Sequence, residues 1–205
     1  LESIEARRIQ ESLLPSTLPD LPGLDIAATW IPAREVSGDG YDVLGLDDGG
    51  VIALVADVAG KGMPAALLMS NLQAAIRSSA VQTTDPAELA ARVRHVVTPN
   101  LTGGRFVTFC LLSVDATRTT LSWANLGHEP PILVRADGTV VHLSATGPAV
   151  ARLLSGLPVS ADHVPVSPGD RLVMWTDGVS EALDADGRPF GRDRVERVIT
   201  DGPRP

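Results

Sequence analysis

Residues 41–76, YDVLGLDDGGVIALVADVAGKGMPAALLMSNLQAAI, constrain this chain more than any other stretch. Two apolar, β-branched runs flank Asp47–Gly50 and read as a hairpin. The second run ends at Asp57, passes a glycine-rich turn and enters a helical pattern over residues 63–81. There Pro64 suits a first turn, and Leu68, Leu72 and Ile76 recur on one face. A second helix starts at Asp85-Pro86 and runs to about Val97. The runs RFVTFCLLSVD, TTLSWANL, PILVRA and TVVHL read as short strands, joined by the turns DATR, GHEP and ADG. LDIAATWI reads as a strand ahead of the hairpin, 144–162 as loop, and DRLVMWTD as a last buried strand. A short helix follows Gly178, and another covers about 192–199. Trp30, Trp123 and Trp175 fall in these strands and are expected in the core. Antiparallel strand runs with helices grouped between them argue for α+β layers, not a doubly wound parallel sheet.

Ahead of this lies LESIEARRIQESLL, with apolar residues at Leu1, Ile4, Ile9 and Leu13 and a stop at Pro15. PSTLPDLPG is a proline-rich connector. The expected division is a linker helix and connector over 1–22 and one domain over 23–205, long enough to bury a core. A net charge of -8 argues against nucleic acid as the main partner. No apolar run approaches the roughly 20 residues of a membrane span, and no signal peptide is visible. The one cysteine, Cys110, sits in an apolar run and reads as a small buried hydrophobe in a reducing, cytoplasmic compartment.

The turn after Asp57 is not a phosphate loop. That motif needs a glycine where Val55 stands, and Ser or Thr where Gly62 follows Lys61. G-x-G-x-x-G is absent at the turn, and DADGRPFG at 184–191 lacks the spacing of a calcium loop. Three aspartates remain. Asp57 ends an apolar strand, Asp39 lies between glycines before another, and Asp177 follows LVMWT. An unpaired carboxylate at a buried strand end must neutralise, pair or bind a cation. Converging at one end of a sheet, the three would suit a hard ion such as Mg²⁺ or Mn²⁺. The alternative is that each merely turns the chain, as Asp47, Asp48, Asp137 and Asp186 are expected to do.

PAREVSGDGYDV, ADVAGKGMPAALLM, RFVTF, WANLGHEPPIL and PGDRLVMWTDGVSEA with GRPFG, in that order, resemble the signatures of the metal-dependent type 2C (PPM) protein phosphatases. More narrowly they resemble the bacterial SpoIIE-like branch. The resemblance implies a four-layer αββα sandwich, two antiparallel sheets flanked by helices, with two Mn²⁺ or Mg²⁺ ions at one end. It implies that Asp57 bridges the ions, that Asp39 and the carbonyl of Val58 serve one, and that Asp177 serves the other. A water activated by the ions would attack phosphoserine or phosphothreonine directly. The implied substrate is a phosphorylated anti-anti-sigma protein of the STAS type, in a partner-switching pathway. The helix and IQESLLP resemble a linker to an upstream sensor of PAS or GAF type, and the helix is expected to pack on the domain or pair two copies.

Departures from the family pattern are Gly40 in place of a bulky aromatic, Glu129 in place of an asparagine, and a last metal-binding aspartate and strand not reached by Pro205. The domain is therefore expected to be incomplete at its C-terminus, with one ion bound weakly. A catalytically impaired phosphoprotein-binding domain is the alternative reading, and a hydrolase of small phosphate esters a third. Arg34, five residues before Asp39, is a candidate contact for substrate phosphate or else a solvated loop residue. Lys61 is expected to be exposed or to cap its turn. His128 and Asn125 are read as turn residues, with a general-acid role for His128 as the alternative. Glu181 either supports Asp177 or answers a helix dipole.

Overall fold

The hairpin forms as its alternation predicts. β1 (Gly40–Gly45) and β2 (Val51–Val58) pair antiparallel, with Gly40 opposite Ala56 and Gly45 opposite Val51. The computed structural model describes residues 2–202. Leu1, expected in the linker helix, and residues 203–205, expected in the domain, lie outside them.

From β2 the chain runs through α2 (Met63–Ala80) and α3 (Pro86–Val97) to β3 (Val107–Val114) and β4 (Thr120–Leu126). The Asp85-Pro86 start behaves as read: Asp85 Oδ1 accepts from the Glu88 amide at 2.8 Å, satisfying a donor that a helix end leaves free. β5 (Ile132–Val134), β6 (Val140–His142), β7 (Asp162–Pro165) and β8 (Arg171–Val173) follow, then α4 (Asp177–Ser180) and α5 (Arg192–Asp201). Among the described residues the strands make two antiparallel sheets, ordered β1-β2-β3-β4-β7 and β6-β5-β8.

Three apolar clusters glue four layers together. Side chains alternate faces along a strand, so Ile52, Leu54, Ala56 and Val58 of β2 point one way. With Phe109 and Leu111 of β3 they pack against Leu72 and Ile76 of α2 and Leu89 and Val93 of α3. The opposite face of the large sheet meets the small one through Cys110, Leu112, Leu121, Trp123, Leu133 and Leu143. Behind the small sheet, Ile132 and Val134 pack on Val195 and Ile199 of α5. The result is the αββα sandwich.

Gly40 has a packing reason. A Cβ there would sit 2.7 Å from Met69 Sδ, so any side chain at 40 would require the Met69 thioether to move.

α1 (Glu2–Leu13) docks by polar contacts rather than by its apolar pattern. Ile4 and Ile9 are 54% and 58% exposed, whereas Gln10 is buried. Gln10 Nε2 donates to the Ser37 carbonyl at 2.7 Å, and the Ser37 amide returns a bond to Gln10 Oε1 at 3.0 Å. At the helix end, the Leu13 carbonyl accepts from Gln73 Nε2 at 2.8 Å and Arg77 Nη2 at 3.0 Å. Both donors also reach Asp42, which is 1% exposed and takes two bonds from the Arg77 guanidinium at 2.6 and 3.1 Å. The fork gives this buried carboxylate a bidentate, charge-assisted partner inside β1.

The structure corrects several sequence expectations. Residues 25–31 have no ladder partner, and their tie to the domain is a bond from Trp30 Nε1 to the Asp39 carbonyl at 3.1 Å. The last strand is only Arg171–Val173 and is half-buried; Trp175 lies beyond it, and Trp30 lies outside any strand. β7 begins at the end of the segment read as loop, and its exposed pattern explains why it was not legible.

Phe109 is fully buried between sheet and helices. Phe109→Ala is expected to cost about 3–5 kcal/mol of stability, measured by urea unfolding. Arg77→Met, which leaves Asp42 uncompensated but partly reachable through the exposed guanidinium site, is expected to cost about 1–3 kcal/mol in the same assay.

Candidate metal centre

The ladder that builds the hairpin also builds the site. Gly40 pairs with Ala56, so one further step along both strands brings Asp39 opposite Asp57. The step is held by the Val58 amide, which donates to the Gly38 carbonyl at 3.2 Å. Asp57 lies on the Ala53 face of β2, the face turned toward the small sheet. From that sheet comes Asp177, four residues past the end of β8, at the start of α4. One carboxylate oxygen from each of Asp39, Asp57 and Asp177 lies within 4.8 Å of the others. The three residues are half-buried.

Glycines keep this end of the sandwich open. A Cβ on Gly38 would stand 2.7 Å from the Val58 carbonyl oxygen and 3.6 Å from Asp57 Oδ1. A Cβ on Gly178 would stand 3.4 Å from both Asp39 Oδ2 and Thr176 Oγ1. At Gly38 a side chain would clash with the Val58 carbonyl, and at Gly178 one would rest against Asp39; without them the carboxylates and that carbonyl form a cradle of hard oxygen donors. That donor set fits a divalent cation such as Mg²⁺ or Mn²⁺ better than a soft metal.

The electrostatics make the cluster hungry for positive charge. Burial, then repulsion from Asp39 and Asp177, pushes the Asp57 carboxyl up to about 7. Asp57 shares a hydrogen bond with Asp39, and Glu181 adds a smaller repulsion. Asp39 is also raised, first by burial and then by Asp177, while hydrogen bonds from Asp57, Ser37 and Thr176 oppose the shift. The Asp39 amide is held by Ser37 Oγ at 3.0 Å. A proton between carboxylates and a bound cation answer the same need, so they compete.

The remaining candidates fall as follows. Arg34 and Lys61 are exposed. His128 is 6% exposed, and burial pulls its imidazole down to about 4, so the ring is neutral. Nε2 faces the Trp175 carbonyl at 3.1 Å and Nδ1 the Thr108 hydroxyl at 3.0 Å, leaving no ring nitrogen for a leaving group. The general-acid alternative for His128 is therefore rejected. Asn125 is buried and does close the turn, accepting from the His128 amide at 2.8 Å. Burial pushes the Cys110 thiol up to about 12, which leaves it inert. Glu129 forms an ion pair with Arg192 and is not one of the three clustered carboxylates. Sequence reasoning noted the glycines beside the aspartates but missed Ser37, Thr108 and Thr176. Thr108 could have been found by carrying the strand alternation of RFVTF across from Asp57.

The family model described as stage II sporulation protein E (SpoIIE) matches residues 47–205. Protein IcfG of Synechocystis sp. is 30% identical over 98% of this chain and 36% of its own length. The phosphoserine phosphatase RsbU of Bacillus subtilis is 30% identical over 89% of this chain and 54% of its own. The chain thus spans between about a third and about half of the curated relatives it matches. The SiaA-PP2C domain of Pseudomonas aeruginosa superposes with a TM-score of 0.77 at 26% identity, covering 98% of this chain and 80% of that one.

The Asp57 shift sets a pH dependence. In the folded state its carboxyl holds a proton up to about pH 7, whereas an unfolded aspartate releases it near 3.8. Between these values the native state binds more protons, so this group's contribution to stability falls as pH rises. Without metal, Asp57→Asn is expected to be more stable than the unsubstituted protein at pH 7.5 and to lose that advantage toward pH 4, read by thermal unfolding.

Proposed function

The chain belongs to the SpoIIE family of type 2C metal-dependent protein phosphatases, and on that premise we propose that it removes phosphate from a phosphoserine or phosphothreonine protein. The observation that carries the reading is the convergence of Asp39, Asp57 and Asp177, from two different sheets, on one glycine-lined cradle. These carboxylates, with the Val58 carbonyl beside Gly38, are the groups that would hold Mn²⁺ or Mg²⁺. When bound, such ions supply a water acidic enough to be a nucleophile near neutral pH, and charge to offset that on the phosphoryl oxygens.

The protein's own part is placement. Asp39 is fixed through its amide by Ser37 and through its carbonyl by Trp30, so its carboxylate is aimed before any ligand arrives. Gly178, exposed beside Asp39 Oδ2, adds no side chain over the cluster. Arg34, exposed and five residues from Asp39, is the proposed fork for the substrate phosphate.

The proposed substrate is a phosphorylated anti-anti-sigma regulator of the STAS type, and the setting a cytoplasmic partner-switching pathway. Among the described residues no helix is long and apolar enough to cross a membrane. Support for the substrate is the similarity to the phosphoserine phosphatase RsbU. The proposed role of 1–22 is a linker from an upstream sensor of PAS or GAF type. Its support is that α1 grips Ser37, two residues from Asp39, and that Ile4 and Ile9 remain exposed for a second copy.

Manganese-dependent phosphate release from a phosphoserine protein tests the reading. Asp57→Asn is expected to lower turnover by more than about a hundredfold, beyond what residues merely supporting metal ligands cost. Arg34→Ala is expected to lower kcat/KM by about ten- to a hundredfold, as loss of one charge-assisted contact would. Binding of the phosphoprotein with no release would favour the non-catalytic reading instead.

A further inference from the structure

The three carboxylates come from two sheets that are not hydrogen-bonded to each other along a ladder. Asp39 and Asp57 sit on the large sheet, Asp177 beyond the small one. Something must set the spacing between them. The apolar cluster between the sheets does so only loosely at this end, because residues 174–176 run past β8 without a ladder partner. Among the described residues, one side chain bonds both the strand position opposite Asp57 and the segment that leads to Asp177.

That side chain is His128. Its Nδ1 lies 3.0 Å from the Thr108 hydroxyl, and Thr108 is the residue directly opposite Asp57 in the β2–β3 ladder. Directly opposed residues share a face and have Cβ atoms about 4.5–5.5 Å apart, so holding Thr108 holds the strand where Asp57 projects. On the other side, Nε2 lies 3.1 Å from the carbonyl of Trp175, two residues before Asp177. A carbonyl can only accept, so Nε2 carries the proton and Nδ1 accepts from the threonine hydroxyl. The backbone that carries the ring is held as well. The His128 amide donates to Asn125 Oδ1 at 2.8 Å, and Asn125 Nδ2 donates to the His128 carbonyl at 3.2 Å and the Leu143 carbonyl at 3.4 Å. Both ring nitrogens are used, and the residue is 6% exposed. A histidine needed only to fill the turn after β4 would not have to reach both sheets.

We propose that His128 is a positioning residue of the metal centre, an inter-sheet clasp from Thr108 to the Trp175 carbonyl that fixes where Asp177 stands relative to Asp57. The proposal rests on reading Asp39, Asp57 and Asp177 as a metal site. It assigns to Thr108 and His128 a measurable share of cation affinity although neither is placed as a ligand.

The test is Mn²⁺ binding, followed by loss of the free-ion electron paramagnetic resonance signal, in the unsubstituted protein and in Thr108→Val, Thr108→Ser and His128→Gln. Thr108→Val is nearly isosteric and removes only the hydroxyl, so it carries the test even where a histidine variant folds poorly. The expected result is Mn²⁺ affinity weaker by about ten- to a hundredfold in Thr108→Val and His128→Gln, the range for groups that orient metal ligands. Thr108→Ser, which keeps the hydroxyl, is expected to restore affinity. Nitrogen chemical shifts of His128 are expected to show the Nε2–H tautomer in the unsubstituted protein. Wild-type Mn²⁺ affinity in Thr108→Val, with only the metal-free unfolding midpoint lowered, would overturn the clasp and leave the metal site standing. Absence of Mn²⁺ binding in the unsubstituted protein at millimolar metal would instead remove the metal reading, and the clasp with it.

Discussion

Mutual repulsion among three half-buried aspartates organises this molecule. Carboxylates with oxygens inside 4.8 Å of one another resist sharing a site uncharged by anything else. The fold brings them together regardless, because each is anchored by a rigid element. Two are set by the register of a hairpin whose apolar face is sealed under α2 and α3. The third is delivered by the opposite sheet. The apolar clusters thus offset an arrangement that is unfavourable in itself, and that a bound cation would relieve.

Much of this was legible in the chain. Alternation through 41–58 fixes which residues face the helices and places Asp57 on the other side. Asp85-Pro86 marks a helix start through chemistry confined to four residues. The ordered glycine-flanked aspartates pointed to the site because an unpaired carboxylate at a buried strand end must neutralise, pair or bind a cation, although a plain turn was the open alternative. What escaped was set by contacts distant in sequence. Residues 25–31 have strand-like composition but find no partner strand. β7 looks like loop because its side chains are exposed, and its existence depends on β4 being there to pair with. The apolar positions of α1 suggested a greasy seam, yet the helix is held by Gln10 and by its own terminal carbonyl. No periodicity could announce that, since the donors lie on α2.

His128 illustrates the same limit from another angle. Beside Gly127 and the two prolines it looked like a turn residue, and by its amide bond to Asn125 it is one. Its ring does something else, and the two atoms it reaches, the Thr108 hydroxyl and the Trp175 carbonyl, are 20 and 47 residues away. Local reading sees the backbone role and misses the side chain's. Buried polar groups with every bond satisfied specify geometry more sharply than apolar contacts, which tolerate sliding.

Gly40 and Met69 form a lock of a different sort. The thioether occupies the volume that a side chain at 40 would need. A lineage that acquired one there would have to swing or trim the flexible Met69. Where Met69 could not yield, α2 would lift from β1 and carry Arg77 away from Asp42, so bulk at 40 should be found with a smaller or differently turned residue at 69.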